Sequence, residues 1–344
     1  MSKIEWCDIS INPIHLIRNN GTNGGHFCQK LSSGCLNCYA EEINQSNYFG
    51  FASHLPYSGK PPENLIFDEK VMQKLVNMRS PKTIFLCSMT DLFGKWVPDE
   101  WIYKAFAYMA IASQHKFLIL TKRPERMKNL LRCGAKQIIR RGAVNVGRSM
   151  NLAPERYEAF ETCEWDWALA NVGLGTSIEN QKVAGDRITN LLDCPAAMRF
   201  LSCEPLLEEL NLVSHEREGC SYNYLLNTWE TSRSGAGGAV AGGRISPFGN
   251  DGIDQIIIGG ESGPGARPCH IDWIRSLVQQ CQQTKTATFV KQLGSQAIDS
   301  NPYIDGVVQN HFQVKLKNRK GGDISEFPFD LQVREFSQKG VFAK

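Results

Sequence analysis

Three cysteines near the start of the chain are spaced so that they could hold one metal centre. Cys28, Cys35 and Cys38 fall within eleven residues, in a run that reads HFCQKLSSGCLNCYA. Serine and glycine between them permit the tight backbone turns that would bring three thiolates together. A helix is expected to begin near Tyr39. The spacing therefore predicts a metal site on this loop.

The number of thiolates narrows the kind of metal site. A structural zinc ion takes four ligands, and ferredoxin-type clusters also use four cysteines. Three cysteines on a [4Fe–4S] cluster would leave one iron open to a small molecule. Three other interpretations remain: a Cys₃His zinc site that includes His26, a metal-free redox pair of Cys35 and Cys38, and buried cysteines that bind nothing.

Composition limits the class of protein. The chain has 344 residues, 42% of them hydrophobic and 21% charged, which is enough for one large domain or two modest ones. No apolar run reaches the length of a membrane span, and no apolar stretch typical of a signal peptide follows the first residues. We therefore expect a cytoplasmic protein without membrane contact, in which the other nine of twelve cysteines stay reduced.

Short apolar runs alternate with amphipathic runs along the chain. The apolar runs predict strands buried on both faces, over 84–88, 117–121, 172–176, 199–203, 255–259 and 288–291. Apolar residues at helical spacing predict helices over 68–78, 98–113, 124–131, 179–192 and 271–283. This alternation predicts an α/β fold of βαβ units, and six strands suit a partial or full (β/α) barrel.

Residues 1–300 are assigned to this barrel, with insertions near 133–167 and 214–251 and a C-terminal extension over 301–344 packed on it. The second insertion contains the run SGAGGAVAGG, which is too rich in glycine to pack a core. The first lies in a basic stretch, since residues 121–156 contain ten Lys or Arg and two acidic residues. A smaller basic cluster follows at Lys315, Lys317, Arg319 and Lys320. Both clusters suit a nucleic acid, and equally a solvated surface.

Polar residues follow each expected strand, where parallel α/β folds place their active sites. The six ends contain SMTD, TKR, TSIE, SCEP, GGES and KQ. They predict a concave polar site, with candidate substrate-binding residues Arg123, Glu204, Glu261, Arg267, His270, Lys291 and Gln292. Helix capping is an equal interpretation for His270. For Cys203 and Cys269 we favour buried structural thiols.

Taken together, these motifs resemble those of a known family. The motifs that carry the likeness are IEW, Cys-x6-Cys-x2-Cys-Tyr-Ala, SMTDLF, LTKRPERM, LGTSIENQ, FLSCEPLL, GGESGPGARP and VKQLG. By these motifs the chain resembles the phage and bacterial three-Cys-motif family of radical-SAM-like proteins. The likeness covers most of the chain apart from the insertions and the tail. The order of the cysteine loop, Ser-x-Thr-Asp, Leu-Thr-Lys and a strand ending in serine more distantly resembles the spore photoproduct lyase branch of radical SAM enzymes.

The resemblance implies a cofactor and a reaction. It implies a [4Fe–4S] cluster on Cys28, Cys35 and Cys38, and S-adenosylmethionine held by Tyr39, Ser88, Thr90, Asp91, Lys122 and Ser177. Hydrogen bonding at strand ends is the alternative role for Asp91 and Ser177. The reduced cluster would cleave S-adenosylmethionine to a 5′-deoxyadenosyl radical, which abstracts hydrogen from the substrate. Donation of a hydrogen atom, the alternative role for Cys203 and Cys269, is implied only by this resemblance.

The resemblance also implies partners. These are an external one-electron reductant, a nucleic-acid base or nucleotide as substrate, and a protein encoded nearby. The alternative function is a non-catalytic nucleic-acid-binding barrel stabilised by zinc or by a cluster.

Overall fold

The computed structural model describes residues 4–46, 53, 55–132, 134–162, 165–231, 242–246, 252–299 and 312–339. The chain divides into two units. The first comprises Met1–Gly175 with Cys194–Met198, and the second comprises Thr176–Asp193 with Arg199–Lys344. Cys133, Cys163 and residues 234–241 of the glycine-rich run lie outside the described residues.

The first unit is built on short, mostly apolar strands. These are β1 (Ile9–Ile11), β2 (Ile14–Leu16), β3 (Leu65–Phe67), β4 (Thr83–Leu86), β5 (Lys116–Thr121) and β6 (Val172–Ser177), whose last two residues belong to the second unit. β4 pairs in parallel with β1 and with β5, whereas β2 and β3 pair antiparallel. The sequence pattern does not predict β1, because Ser10 interrupts a run of only three residues.

Helices follow most of these strands. In the described part of the first unit they are α1 (Tyr39–Gln45), α2 (Glu69–Asn77), α3 (Asp99–Ile111), α4 (Pro124–Arg132), α5 (Ala135–Ser149) and α6 (Glu158–Glu161). α2 begins where the Asp68 side chain accepts a hydrogen bond from the Lys70 N–H. α3 follows Pro98 and has acidic residues in its first turn, which its dipole favours. The helices predicted over 68–78, 98–113 and 124–131 are confirmed to within two residues.

The insertion expected near 133–167 contains a helix that packs into the first unit. α5 buries Ile139, Ala143 and Val146, which repeat at helical spacing. It comes close to α3, since a Cβ on Gly142 would lie 2.9 Å from the Cβ of Ala107. The many basic residues of this segment obscure its apolar stripe, so the sequence pattern does not predict α5.

The second unit has its own parallel strands and two small sheets. Its strands are β7 (Met198–Cys203, of which Met198 belongs to the first unit), β8 (His215–Arg217), β9 (Cys220–Asn223), β10 (Thr228–Thr231), β11 (Gly242–Arg244), β12 (Gln255–Gly259), β13 (Cys269–His270), β14 (Ala287–Gln292), β15 (Ala297–Asp299) and β16 (Phe312–Gln313). β12 pairs in parallel with β7 and with β14. The four strands β8 to β11, within the second expected insertion, form an antiparallel sheet.

Two helices and a C-terminal segment complete the described part of the second unit. The helices are α7 (Gln181–Leu192) and α8 (Ile271–Thr284), both close to their predicted bounds. The segment after β16 runs beside β14, where the Val290 N–H donates to the carbonyl of Val333 at 2.8 Å. Buried Gln255 holds the same segment, because its side chain accepts from the Ser337 N–H at 2.8 Å.

The largest sheet combines seven of these strands. Their hydrogen-bonding order is β1-β4-β5-β6-β7-β12-β14. Because β1 and β14 are edge strands, the described strands do not close a full barrel, and the order is compatible with a partial one. The α/β class and all six predicted strands are confirmed. Within the described ranges, no helix is long and apolar enough to cross a bilayer.

The packing of α5 gives a test with a neighbouring control. Ile139 is fully buried, whereas Ile138 is 45% exposed. Ile139→Ala should lower the free energy of unfolding by about 2–5 kcal/mol, because it leaves a cavity. Ile138→Ala should change it by less than about 0.5 kcal/mol. Urea unfolding followed by circular dichroism measures both, and equal losses would contradict the packing of α5 described above.

Candidate metal centre

The backbone on both sides of Cys28 is held by side chains from distant parts of the first unit. Thr90 Oγ1 donates a hydrogen bond to the carbonyl of Phe27 at 2.6 Å. Arg123 Nη2 donates to the carbonyl of Gln29 at 2.9 Å. Thr90 lies in the turn after β4 and Arg123 lies just after β5. The ends of two parallel strands therefore hold the loop on which Cys28 sits.

A fully buried asparagine ties the same loop to the helix that follows Cys38. α1 begins at Tyr39, as the sequence predicts. From α1, Asn44 Oδ1 accepts from the N–H of His26 at 2.6 Å, and its Nδ2 donates to the carbonyl of His26 at 2.9 Å. Gly25 makes room for this contact, because it has φ +108° and a Cβ there would lie 2.8 Å from Asn44 Oδ1.

Asp91 organises the strand ends that hold the loop. Its carboxylate accepts from the Thr121 hydroxyl at 2.7 Å, from the backbone N–H groups of Phe93 at 3.0 Å and Lys122 at 3.1 Å, and from Arg123 Nη1 at 2.8 Å. The residue is only 7% exposed. A buried carboxylate needs such partners, and four donors satisfy both of its oxygens.

Arg123 is fixed by an aromatic contact as well. Its guanidinium carbon lies 4.8 Å from the centre of the Trp96 ring, and that ring meets Phe27 edge-on at 5.4 Å. Gly94 allows this packing, because a Cβ there would lie 2.3 Å from the Trp96 ring. Arg123 thus contacts a carboxylate, a loop carbonyl and a ring at once, and its guanidinium has little freedom to move.

The three candidate thiols lie in one region. Cys28 and Cys38 pack against a buried cluster of Ala40, Tyr57 and Met89, and Cys35 ends a short 3₁₀ turn between them. All three are free of disulfides. Within the described ranges, no three His, Cys, Asp or Glu side chains converge closely enough to hold a metal ion.

The environment of Cys28 and Cys38 opposes a bare thiolate. Burial raises the pKa of the Cys28 thiol well above its usual range; the nearby Asp91 charge, Cys38 and Cys35 add to this effect, while Arg123 opposes it. Burial also raises the pKa of the Cys38 thiol, with Cys35 acting in the same direction and hydrogen bonds from the backbone N–H groups of Glu41 and Ala40 opposing it. A bound cation would relieve this cost, so the donor set fits a thiolate-bound metal centre.

His26, the fourth ligand of the zinc alternative, is engaged with the backbone. Its Nδ1 lies 2.9 Å from the carbonyl of Ile14, and its ring is buried. Burial lowers the pKa of His26 to about 4, with the neighbouring His15 acting in the same direction and the Ile14 hydrogen bond opposing it. The ring is therefore neutral at neutral pH, and one of its nitrogens already serves the fold.

The other expected cofactor contacts of the first unit are also part of its hydrogen-bond network. Tyr39 donates from its hydroxyl to the carbonyl of Ser88 at 3.0 Å. The Ser88 hydroxyl accepts from the side chain of Asn12 at 3.2 Å. The backbone N–H of Lys122 donates a hydrogen bond to the carboxylate of Asp91. The first unit thus brings Tyr39, Ser88 and Lys122 into the network that surrounds the cysteine loop.

At least half of the ten basic side chains of residues 121–156 bind within the first unit. Arg126, Arg140 and Arg156 donate to backbone carbonyls, while Arg148 pairs with Glu161. Arg123 is bound as described above. These contacts make a solvated surface with internal ion pairs the better interpretation of this basic stretch.

The second unit pairs each of its strand-end carboxylates with a cation. Glu179, after β6, is fully buried and bonded to Arg187, which also donates to the carbonyl of Ser177 at 2.7 Å. Glu204, after β7, pairs with Lys291 of β14.

The remaining candidates of the second unit close its own loops. Arg267 binds Glu261 through its backbone N–H and its guanidinium, at 2.6–2.9 Å. Gln292 donates to the carbonyl of Gly260 at 2.7 Å. His270 precedes α8 but makes no capping bond through its side chain, and its ring packs on Trp273 at 4.6 Å. Of the predicted substrate residues, Glu204 and Lys291 form a pair that keeps about a fifth of each side chain exposed.

The two buried thiols of the second unit match the structural interpretation. Cys203 and Cys269 are fully buried. Burial raises the pKa of both thiols, to about 12 for Cys269. Sequence patterns single out neither the buried Glu179–Arg187 pair nor Asn44 and Trp96. The available signals are the Glu in the run TSIE, a polar residue in an apolar segment for Asn44, and an aromatic residue for Trp96. None of these signals shows which residue the side chain contacts.

Substitution of the cysteines tests the metal centre directly. Cys28→Ala, Cys35→Ala and Cys38→Ala should each abolish a stable cluster, because two thiolates cannot hold it. Cys220→Ala is the matched control, since Cys220 is a partly exposed free cysteine in the second unit. Iron, acid-labile sulfide and visible absorption are measured after anaerobic reconstitution. Wild-type protein that stays colourless and binds one zinc would contradict the iron–sulfur assignment.

A second substitution separates the cluster from the Cys₃His alternative. His26→Asn keeps a side-chain donor for the Ile14 carbonyl and removes the second ring nitrogen. We expect its iron and sulfide content to equal that of the wild type, because in the proposed centre the three thiolates hold the cluster and His26 keeps its bond to the Ile14 carbonyl. Loss of the metal from this variant, with an unchanged urea unfolding midpoint, would make His26 a ligand.

Comparison with known proteins places the chain in a family. A family model described as "Protein of unknown function (DUF5131)" matches residues 1–328. Comparisons with curated proteins and with solved structures gave no match. The matched region contains the cysteine loop and the polar strand ends of both units. The chain therefore belongs to the DUF5131 family.

Proposed function

We propose that this protein is a radical S-adenosylmethionine enzyme whose [4Fe–4S] cluster is held by Cys28, Cys35 and Cys38. The observation that carries the proposal is a loop with three free thiols, held at the ends of two parallel strands by Thr90 and Arg123. The motif resemblance supports the same cofactor. When bound, the cluster and S-adenosylmethionine would supply the electron and the 5′-deoxyadenosyl radical that removes hydrogen from the substrate.

The number of thiols favours a reactive centre over a structural one. Structural metal sites are closed by four protein ligands, whereas catalytic sites keep a position open. The cysteine loop offers three thiols, and in the proposed centre His26 keeps its hydrogen bond to the Ile14 carbonyl and binds no iron. The position left open is the one that S-adenosylmethionine would take.

The contacts of the first unit change which residues we propose for cofactor binding. Thr90 and Asp91 are bonded within the protein, so their role is to hold the cysteine loop. Tyr39 and Lys122 remain proposed contacts for S-adenosylmethionine, since α1 and Asp91 respectively fix their backbones beside that loop. For Ser177, in the second unit, the cofactor role rests on the motif resemblance alone.

The substrate is proposed only as a chemical class. The likeness to the lyase branch favours a nucleic-acid base or nucleotide. The basic residues of 121–156 add little, because at least half of them bind within the fold. In the second unit, the partly exposed Glu204–Lys291 pair is the proposed substrate contact. A cytoplasmic location and an external one-electron reductant belong to the same proposal.

Cofactor cleavage tests this function without knowledge of the substrate. Anaerobically reconstituted protein is reduced with dithionite and mixed with S-adenosylmethionine, and the products are measured by liquid chromatography and mass spectrometry. We expect 5′-deoxyadenosine and methionine in equal amounts, because one cleavage yields both. Cys35→Ala should yield neither, and Cys220→Ala should match the wild type. Protein with full iron and sulfide content that makes no 5′-deoxyadenosine would overturn the proposal.

A further inference from the structure

We infer that Thr90 and Arg123 are positioning residues that fix the direction of the Cys28 side chain toward the metal. The resemblance assigns Thr90 to the cofactor, and the strand-end pattern assigns Arg123 to the substrate. Their contacts give both residues a different role, as donors to the loop backbone. This inference rests on the proposed metal centre, and it names the residues that set the geometry of that centre.

Two peptide planes, one before and one after Cys28, are held in place. The plane between Phe27 and Cys28 is held through its carbonyl oxygen, which accepts from Thr90 Oγ1. The plane between Gln29 and Lys30 is held on both edges, because its carbonyl accepts from Arg123 and its N–H donates to the carbonyl of Tyr57 at 3.1 Å. Each residue has two soft backbone dihedrals, so only the φ and ψ angles of Cys28 and Gln29 lie between the two held planes. This limits the direction of the Cys28 Cα–Cβ bond.

The hydroxyl proton of Thr90 and two of the five N–H groups of Arg123 are already used. A threonine hydroxyl has one proton, and that of Thr90 goes to the Phe27 carbonyl. Arg123 directs Nη1 at Asp91 and Nη2 at Gln29, and its guanidinium lies over Trp96. Recognition of a cofactor or substrate by these groups would first have to break the bonds that hold the loop.

The expected effect follows from the behaviour of groups just beyond the metal ligands. Such groups orient the ligands, and their loss typically reduces metal affinity about 10- to 100-fold. Thr90 and Arg123 act on the backbone of a ligand, so their loss should release the loop while the thiols remain present. Affinity for a metal should therefore fall without loss of any ligand.

Cobalt(II) is a suitable probe, because its bond to a thiolate gives a near-ultraviolet charge-transfer band that is independent of cluster assembly. Iron-free, full-length protein is titrated with cobalt(II) under anaerobic conditions. Thr90→Val removes the hydroxyl and keeps the side-chain shape, whereas Thr90→Ser restores the hydroxyl. Arg123→Lys keeps a cation beside Asp91, but an ammonium group lacks the second planar arm with which the guanidinium also donates to the Gln29 carbonyl. Thr288→Val is the control, since Thr288 is a buried threonine of the second unit that donates to the carbonyl of Thr286 at 3.2 Å.

We expect Thr90→Val and Arg123→Lys to bind cobalt(II) about 10- to 100-fold more weakly than the wild type. Thr90→Ser should recover most of that affinity, and Thr288→Val should bind as the wild type does. Urea unfolding midpoints of all variants show whether Thr90→Val and Thr288→Val lose similar stability. Rescue by serine at matched stability supports a positioning role, because a general loss of folding would lower affinity in Thr288→Val as well.

Two results would overturn the inference. One is equal cobalt(II) affinity in Thr90→Val, Arg123→Lys and the wild type, and the other is a wild type with no thiolate–cobalt band. Equal affinities in a protein that still cleaves S-adenosylmethionine would remove the positioning role and leave the proposed function intact. Conversely, the expected cobalt(II) series in a protein that makes no 5′-deoxyadenosine would support the positioning role and refute the radical chemistry.

Discussion

The buried carboxylate of Asp91 is the constraint on which the cysteine loop depends. A carboxylate that is 7% exposed must be fully hydrogen-bonded, and its donors come from the turn after β4 and from the end of β5. One of these donors is Arg123, whose second nitrogen reaches the loop carbonyl of Gln29. The requirement to satisfy one buried charge thereby joins two strand ends to the backbone beside Cys28.

The two units use charged side chains at their strand ends in a similar way. In the first, Arg123 pairs with Asp91 and holds a loop that carries thiols. In the second, Arg267 pairs with Glu261 and closes the loop after β12. Polar strand ends in this protein therefore serve largely to order the following loops. The side chains best placed to bind a ligand are those that stay partly exposed to solvent within their ion pair, such as Glu204 and Lys291.

Local patterns in the sequence predict the elements better than the roles of the site residues. Buried strands such as β5 and β12 stand out as apolar runs. The start of α2 is marked by Asp68, and that of α3 by Pro98 and two acidic residues. The role of Thr90 depends on Phe27, 63 positions away in the chain, and that of Arg123 depends on Gln29, 94 positions away. The strand pattern places both residues at strand ends. Every residue has a backbone carbonyl, however, so the identities of Phe27 and Gln29 do not show that they accept these hydrogen bonds.

The central claim is that the cysteine loop holds a cluster with one iron that the protein does not ligate. Mössbauer spectroscopy of protein reconstituted with isotope-enriched iron, with and without S-adenosylmethionine, tests this claim most directly. The account predicts a [4Fe–4S] spectrum in which the signal of one iron shifts when S-adenosylmethionine is added and the other three stay unchanged. A spectrum that S-adenosylmethionine leaves unaltered, or a chain that takes up zinc in place of iron and sulfide, would contradict it.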